Sequence, residues 1–174
     1  MAGTAGGTAR IALDGRVALV TGAGRGIGAA TARLLAAAGA QVLVAARSAA
    51  EIEAVAEEIR ATGAHAEAVS CDVSDPEAIA RLRAAAETRF GTVDILVANA
   101  GIASSAPLAR IGLEEWNRLF AVNATGAFLC AQAFVPGMSA RRWGRIVNIA
   151  SIAGRTGAPY ISACLLYTSP SPRD

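Results

Sequence analysis

The chain has 174 residues, of which 53% are hydrophobic, and this length and composition suit one domain with a substantial core. Its 16 basic and 14 acidic residues leave a formal net charge of +2 and form no long block of like charge, which argues against a nucleic-acid or membrane partner. Three widely spaced cysteines and a single histidine argue against a disulfide framework, a metal site and histidine-dependent hydrolysis.

The N-terminus has no feature of an export signal. Residues 1–8 are rich in Gly, Ala and Thr and lack a charged start and an apolar centre, so we expect residues 1–12 to form a flexible tail. No apolar run approaches the roughly 20 residues that cross a bilayer. These features predict a soluble, cytoplasmic protein.

An apolar run followed by closely spaced glycines comes next. Residues 17–20 suit a strand buried on both faces, and the turn after them contains Gly22, Gly24, Gly26 and Gly28. Such a turn can approach a phosphate closely, and the helix beginning near Gly26 would direct unpaired N–H groups toward it. The same pattern also occurs as a plain structural connection, so alone it does not assign a nucleotide site.

Short apolar strands and helices then alternate along the chain. Further strands are predicted at residues 41–46, 66–71, 93–98 and 145–150, with helices between them. Parallel strands joined by helical crossovers predict a doubly wound α/β sheet, with one domain over residues 13–163 and no internal repeat.

Capping and breaking residues set the expected helix ends. Ser48 with Glu51, and Ser74 with Glu77, have the spacing of capping boxes. A long helix is predicted over residues 113–138, and Pro136 should end or bend it.

Polar or glycine-rich positions follow every predicted strand, at the edge where an open parallel sheet binds ligands. Each also has a purely structural interpretation: Asp72 can form a turn, Asn99 can satisfy backbone groups and Ser151 can end a strand. Their occurrence together at one edge favours a binding site.

In order and spacing, these motifs closely resemble the short-chain dehydrogenase/reductase family, in its compact single-domain branch, over residues 13–163. Residues 21–28 match the cofactor turn Thr-Gly-x-x-x-Gly-x-Gly, residues 72–73 the adenine-contact pair Asp-Val, and residues 99–101 the segment Asn-Ala-Gly. The resemblance implies a Rossmann-type sheet that binds a nicotinamide cofactor through Gly22, Arg25, Gly26, Ile27, Gly28, Arg47, Asp72, Val73, Asn99, Ala100 and Gly101.

The resemblance also implies two catalytic positions. Ser151 matches the serine that polarises the substrate carbonyl, and Asn123 matches a helix asparagine that holds a proton-relay water. The family's tyrosine acid and its lysine partner should stand at positions 164 and 168, where this chain has Cys164 and Thr168. Neither residue is a competent substitute.

The C-terminal residues 164–174 differ from the rest of the chain. They read Cys-Leu-Leu-Tyr-Thr-Ser-Pro-Ser-Pro-Arg-Asp and resemble the in-frame translation of a common transposase sequencing adapter. Tyr160 and Tyr167 do not replace the family tyrosine, because neither has a lysine four residues later. We therefore expect native sequence to end near Ala163, with an incomplete sheet, an exposed fifth strand and no activity in the fragment itself.

The end of the second strand bears on cofactor preference. Enzymes that prefer NAD usually place an acidic residue there, whereas this chain has Ala46 followed by Arg47, with Arg25 in the glycine turn. Two guanidinium groups suit a 2′-phosphate, so NADP(H) is predicted over NAD(H). A solvated charge at a helix cap is the alternative role for Arg47.

For the full-length parent, the resemblance implies an NADP-preferring oxidoreductase of the 3-oxoacyl-thioester reductase type. It would act on a small carbonyl or alcohol substrate and assemble as a homo-oligomer. A non-catalytic dinucleotide-binding or sensory protein on the same fold is the alternative. A methyltransferase is disfavoured by the glycine turn together with residues 99–101. A phosphate-loop NTPase is excluded because Ala29 and Ala30 follow Gly28 where Lys and Ser or Thr would be required.

Overall fold

A computed structural model describes residues 12–151, which form a five-stranded parallel sheet with helices on both faces. The strands are β1 (Val17–Thr21), β2 (Gln41–Ala46), β3 (Ala66–Ser70), β4 (Ile95–Ala98) and β5 (Arg145–Asn148). The helices are α1 (Gly26–Ala37), α2 (Ala49–Ala61), α3 (Pro76–Phe90), α4 (Leu113–Phe120) and α5 (Gly126–Ala140). The segment that resembles adapter sequence, together with positions 160, 163, 164, 167 and 168, lies outside the described residues, as do residues 1–11 of the predicted tail.

The strand order is β3-β2-β1-β4-β5, so the chain starts at the centre of the sheet and builds outward on one side before crossing to the other. This order confirms the predicted doubly wound α/β architecture. It places the topological switch point between the carboxyl ends of β1 and β4, where such sheets bind ligands.

Alternate side chains of the central strands enter two separate cores. On one face, Ala18 and Val20 of β1 pack with α1 and α2, and on the other, Val17 and Leu19 pack with α3 and α5. The α1–α2 face is rich in alanine, with Ala18, Ala23, Ala29, Ala32, Ala36, Ala40, Ala56 and Ala66 all buried in it. The opposite face contains longer side chains, which include Leu82, Phe134 and Met138.

One of the two predicted helix caps is confirmed, and the other is wrong. The Ser48 hydroxyl accepts a hydrogen bond from the Glu51 N–H at 3.3 Å at the start of α2. At the start of α3, however, the carboxylate of Asp75 accepts from the Glu77 N–H at 2.9 Å, and Asp75 is the cap. Pro76 occupies the first helical position, where the missing N–H costs nothing, so the cap moves to the residue before it.

The predicted long helix is interrupted. Between α4 and α5 the residues Ala121–Thr125 form a turn of π-helix, and the N–H of Gly126 reaches back to the carbonyl of Ala121. Pro136 does not end the helix, which continues to Ala140. Gln132 and Pro136 are both exposed, so water can satisfy the Gln132 carbonyl that the proline leaves without a donor.

The combined segment Leu113–Ala140 is 28 residues long, and its most apolar window has a mean hydropathy of 1.5. By length and composition it could cross a membrane. The prediction that no apolar run approaches the roughly 20 residues that cross a bilayer is therefore wrong. Four of its side chains, Leu119, Cys130, Phe134 and Met138, are buried within the fold. One such helix is weak evidence for insertion, because the core helix of a soluble protein passes the same test.

Candidate functional site

The carboxyl ends of β1 and β4 are joined by side-chain hydrogen bonds. The hydroxyl of Thr21 accepts from the backbone N–H groups of Asn99 and Ala100, each at 3.1 Å. In return, Asn99 Nδ2 donates to the carbonyls of Thr21 at 2.8 Å and Gly22 at 3.2 Å. Thr21 is only 1% exposed, so these bonds fix the start of the glycine turn against β4. Thr21 is absent from the predicted binding residues, although a polar residue that ends a wholly apolar strand is a signal for it.

The glycines of the turn meet specific constraints. Gly22 has a φ of +64°, and a Cβ there would lie 2.8 Å from the Cα of Ala100. A Cβ on Gly28 would lie 2.4 Å from both Asn99 Nδ2 and the Gly22 carbonyl oxygen. Gly26 has a φ of +57°. The positive φ angles at Gly22 and Gly26, and the short distances to neighbouring atoms at Gly22 and Gly28, therefore favour glycine over any residue with a side chain.

The N-terminus of α1 lies at the end of this turn. Arg25 precedes the helix and makes no side-chain capping bond, and the first helical turn contains no acidic residue. The first N–H groups of α1 therefore have no side-chain partner within the helix end. Together with the helix dipole, such groups form a site for an anion such as a phosphate.

A cleft of about 470 Å³ lies over the turn, a volume within the usual range for ligand sites. It brings together most of the predicted cofactor residues: Gly22, Arg25, Ile27, Gly28, Arg47, Val73, Asn99, Ala100 and Gly101. Gly26 and Asp72 lie next to lining residues. The predicted cofactor residues do not include six further lining residues: Gly24, Ala46, Ser48, Glu51, Cys71 and Ile102.

Asp72 is held by its own loop rather than pointing freely into the cleft. Its Oδ1 accepts hydrogen bonds from the Ser74 N–H at 2.9 Å and the Ser74 hydroxyl at 2.7 Å. Partial burial raises the pKa of Asp72, but the two bonds from Ser74 and the positive charge of Arg47 outweigh burial and lower the pKa below its ordinary value. Asp72 is thus a fixed carboxylate that shapes the loop beside Val73.

The two predicted arginines differ in their surroundings. The Nη1 atom of Arg25 lies 4.0 Å from Oε1 of Glu51, and the Arg25 side chain is 87% exposed. Arg47 is exposed, and its backbone carbonyl accepts a hydrogen bond from the Ser70 hydroxyl at 3.0 Å. Within residues 12–151 the guanidinium of Arg47 has no ion-pair partner.

The predicted catalytic residues Asn123 and Ser151 lie beside a second cleft, of about 440 Å³, which shares Ala100 with the first. Asn123 lies in the π-helical turn, where its Oδ1 accepts from the Ile102 N–H and its Nδ2 donates to the Ile102 carbonyl, both at 2.8 Å. Ser151 is exposed and follows Ala150, which lines this cleft. The water-holding role of Asn123 and the substrate role of Ser151 stay predictions.

Two cysteines are buried free thiols, as the sequence predicts. Cys71 lines the first cleft, and burial, followed by the charges of Asp72 and Asp75, raises its pKa to about 11 despite Arg81. Burial raises the pKa of Cys130 to about 12. Neither thiol is activated as a nucleophile. Among the described residues, no cluster of His, Cys, Asp and Glu could hold a metal ion.

Comparisons with known proteins agree with this geometry. The family model for the short chain dehydrogenases matches residues 16–166. The chain is 44% identical over 149 residues to a 3-oxoacyl-(acyl-carrier-protein) reductase of Synechocystis, covering 85% of this chain and 60% of that protein. It is 46% identical over 143 residues to a cis-4-hydroxycyclohexanecarboxylate dehydrogenase of Sinomonas cyclohexanicum, covering 82% of this chain and 57% of that protein.

A solved structure is similar as well. The crystal structure of a metagenomic short-chain oxidoreductase in complex with NADP superposes with a TM-score of 0.84 at 43% identity, covering 90% of this chain and 70% of that one. The chain spans about 60% of the length of the curated relatives it matches. Its sheet order, its glycine turn and these matches agree, and the chain belongs to the short-chain dehydrogenase family.

Proposed function

We propose that this chain contains the cofactor-binding region of an NADP-preferring oxidoreductase that acts on a small carbonyl or alcohol substrate. The observation that carries the proposal is the closed glycine turn, where Gly22 and Gly28 pack against Asn99 and Ala100 with no room for a Cβ. This turn forms the floor of a cleft at the switch point of the sheet.

The residues of the cleft fit a dinucleotide. The unpaired N–H groups at the start of α1 would bind the pyrophosphate, because a glycine turn lets it approach the backbone. Val73 and the Asp72 loop would contact the adenine, and Arg25 and Arg47 would bind a 2′-phosphate. When bound, a nicotinamide cofactor supplies or accepts the hydride.

Beside the second cleft, Ser151 would donate a hydrogen bond to the substrate carbonyl oxygen, where negative charge grows as the carbon is reduced. Asn123 holds the loop at Ile102 and would position the proton relay. We propose a cytoplasmic homo-oligomer with a small-molecule substrate of the 3-oxoacyl-thioester class, in line with the Synechocystis relative.

Reduction of a carbonyl also requires a proton donor, which the family resemblance places at position 164. Cys164 and Thr168 stand where the family resemblance calls for tyrosine and lysine, and both lie in the segment that resembles translated adapter. We propose that the intact gene encodes Tyr and Lys at these positions, which resequencing of the locus would test. Recovery of Cys and Thr followed by a genuine stop codon would favour the alternative, a non-catalytic dinucleotide-binding protein.

Binding measurements test the cofactor assignment. We expect the 174-residue chain to bind NADP+ more tightly than NAD+, and 2′,5′-ADP more tightly than 5′-AMP, in isothermal titration calorimetry. Arg47→Gln should weaken 2′,5′-ADP binding about tenfold and leave 5′-AMP binding unchanged, because only the former carries the 2′-phosphate. Arg33→Gln removes an equal charge from the outer surface of α1, where Arg33 pairs with Glu58, and should leave both affinities unchanged. Tighter binding of NAD+ would contradict the assignment.

A further inference from the structure

We propose that Glu51 is a specificity-determining residue: its carboxylate holds Arg25 beside the glycine turn and so weakens binding of a 2′-phosphate relative to a 2′-hydroxyl. The inference rests on the proposed cofactor site. It adds to that site Glu51, which the sequence analysis identified only as part of a helix-capping pair and not as a cofactor residue.

The backbone fixes Glu51 at the rim of the cleft. Glu51 lies in the first turn of α2, and its N–H donates to the hydroxyl of Ser48, which also lines the cleft. A helix cap of this kind holds the residue in one position relative to the end of β2. The side chain of Glu51 therefore starts from a defined point near Arg47.

The side chain of Glu51 lies against the glycine turn. A Cβ on Gly24 would come within 2.8 Å of Glu51 Oε2 and 2.9 Å of Glu51 Cβ. Only glycine at position 24 leaves room for the carboxylate in this place. Gly24 thus accommodates a side chain from α2 as well as keeping the turn open.

The carboxylate lies next to one of the two cations proposed to bind the 2′-phosphate. Oε1 of Glu51 is 4.0 Å from Nη1 of Arg25, and the two side chains are 45% and 87% exposed. An exposed pair at this distance is weak, so a phosphate can displace the carboxylate, but it must compete with it for Arg25. A 2′-hydroxyl carries no charge and has no such competition.

The two arginines are therefore unequal. In the described part of the chain, Arg47 has no carboxylate within ion-pair distance and interacts with Asp72 only from farther away, so its guanidinium is open to a phosphate. Arg25 is partly neutralised by Glu51. Loss of the Glu51 charge would release Arg25 and raise the preference for NADP over NAD.

The test compares Glu51→Gln with Glu57→Gln in the 174-residue chain, with 2′,5′-ADP and 5′-AMP as ligands. Glu57 is an exposed residue of the same helix outside the cleft, so its change alters net charge equally. We expect Glu51→Gln to tighten 2′,5′-ADP binding about fivefold, with 5′-AMP binding unchanged, and Glu57→Gln to change neither. The gain should shrink in about 1 M salt, which screens charges but would not mask a change of shape.

A double-mutant cycle tests whether Glu51 acts through Arg25. In an Arg25→Gln background, Glu51→Gln should no longer improve 2′,5′-ADP binding. Glu51→Ala, which removes the side chain from Gly24 altogether, should reproduce the gain if Gln packs poorly there. An unchanged affinity in both Glu51 variants, an equal change for both ligands, or a gain that persists without Arg25 would overturn the inference. Failure of the unmutated chain to bind either nucleotide would instead refute the proposed cofactor site.

Discussion

Replacement of Thr21 by valine tests how the ends of β1 and β4 are held together. Valine has nearly the shape of threonine but lacks the hydroxyl, so the N–H groups of Asn99 and Ala100 would each lose their acceptor. A buried donor without a partner costs about 1–3 kcal/mol. Asn99 and Ala100 are only half-buried, so each should contribute near the lower limit, and we expect Thr21→Val to lower the free energy of unfolding by about 2 kcal/mol.

Urea unfolding would measure this loss, with Thr21→Ser as the matched control. Serine keeps the hydroxyl and loses one methyl group, so its cost should stay below about 1 kcal/mol. Amide hydrogen exchange would locate the effect, since protection should fall first at Asn99 and Ala100. The reasoning would be refuted if Thr21→Val matched the unmutated chain within about 0.5 kcal/mol, or if the serine and valine variants lost equal stability.

Three further predictions concern other parts of the site. Gly28→Ala should destabilise the chain by about 1–3 kcal/mol and abolish nucleotide binding, because its Cβ would lie 2.4 Å from neighbouring atoms. Gly112→Ala, whose Cβ would meet no atom within 4 Å, should do neither, and equal effects in urea unfolding would count against the packing argument. Cys71 and Cys130, with pKa values of about 11 and about 12, should resist iodoacetamide near neutral pH until the chain is unfolded, and peptide mass spectrometry showing equal labelling in the native state would contradict this. Because the folded-state pKa of Asp72 is lowered, its contribution to stability is present above the usual carboxyl pKa of about 3.9 and is lost as the pH falls through the folded value. The stability difference between the unmutated chain and Asp72→Asn should therefore shrink from pH 6 to pH 3 in urea titrations, and a constant difference would show that the charge plays no part.

Features that depend on local sequence could be predicted closely. The apolar runs identified all five strands, because strands buried on both faces leave a nearly continuous hydrophobic signal. The glycine turn was equally clear in the sequence. At Gly22 and Gly28 the neighbouring atoms lie so close that no residue with a Cβ would fit. The cap of α3 was predicted wrongly as Ser74, although the local sequence contains the better signal, because Pro76 favours the first helical position and so points to Asp75.

Features that depend on distant contacts could not be predicted. The π-helical turn at residues 121–125 coincides with Asn123, whose amide binds Ile102 on another segment of the chain. The helical periodicity of the sequence does not indicate the hydrogen bonds between Asn123 and Ile102. The place of Glu51 against Gly24 likewise follows from the packing of α2 beside the glycine turn. Thr21 has a local signal, because it is a polar residue that ends an apolar strand, but its partners Asn99 and Ala100 follow β4, 78 and 79 residues further along the chain.

The alanine-rich core beneath α1 and α2 limits which substitutions the chain can accept during evolution. Alanine side chains let α1 pack tightly on the sheet, so a larger residue at Ala32 or Ala36 would push the helix outward. Because α1 begins at the glycine turn, such a shift would also displace the N–H groups that we propose to bind the pyrophosphate. The opposite core, built from longer side chains such as Leu82 and Met138, can exchange one hydrophobic shape for another at lower cost. Neutral drift should therefore accumulate on the α3–α5 side of the sheet, and purifying selection should act most strongly on the small residues under α1.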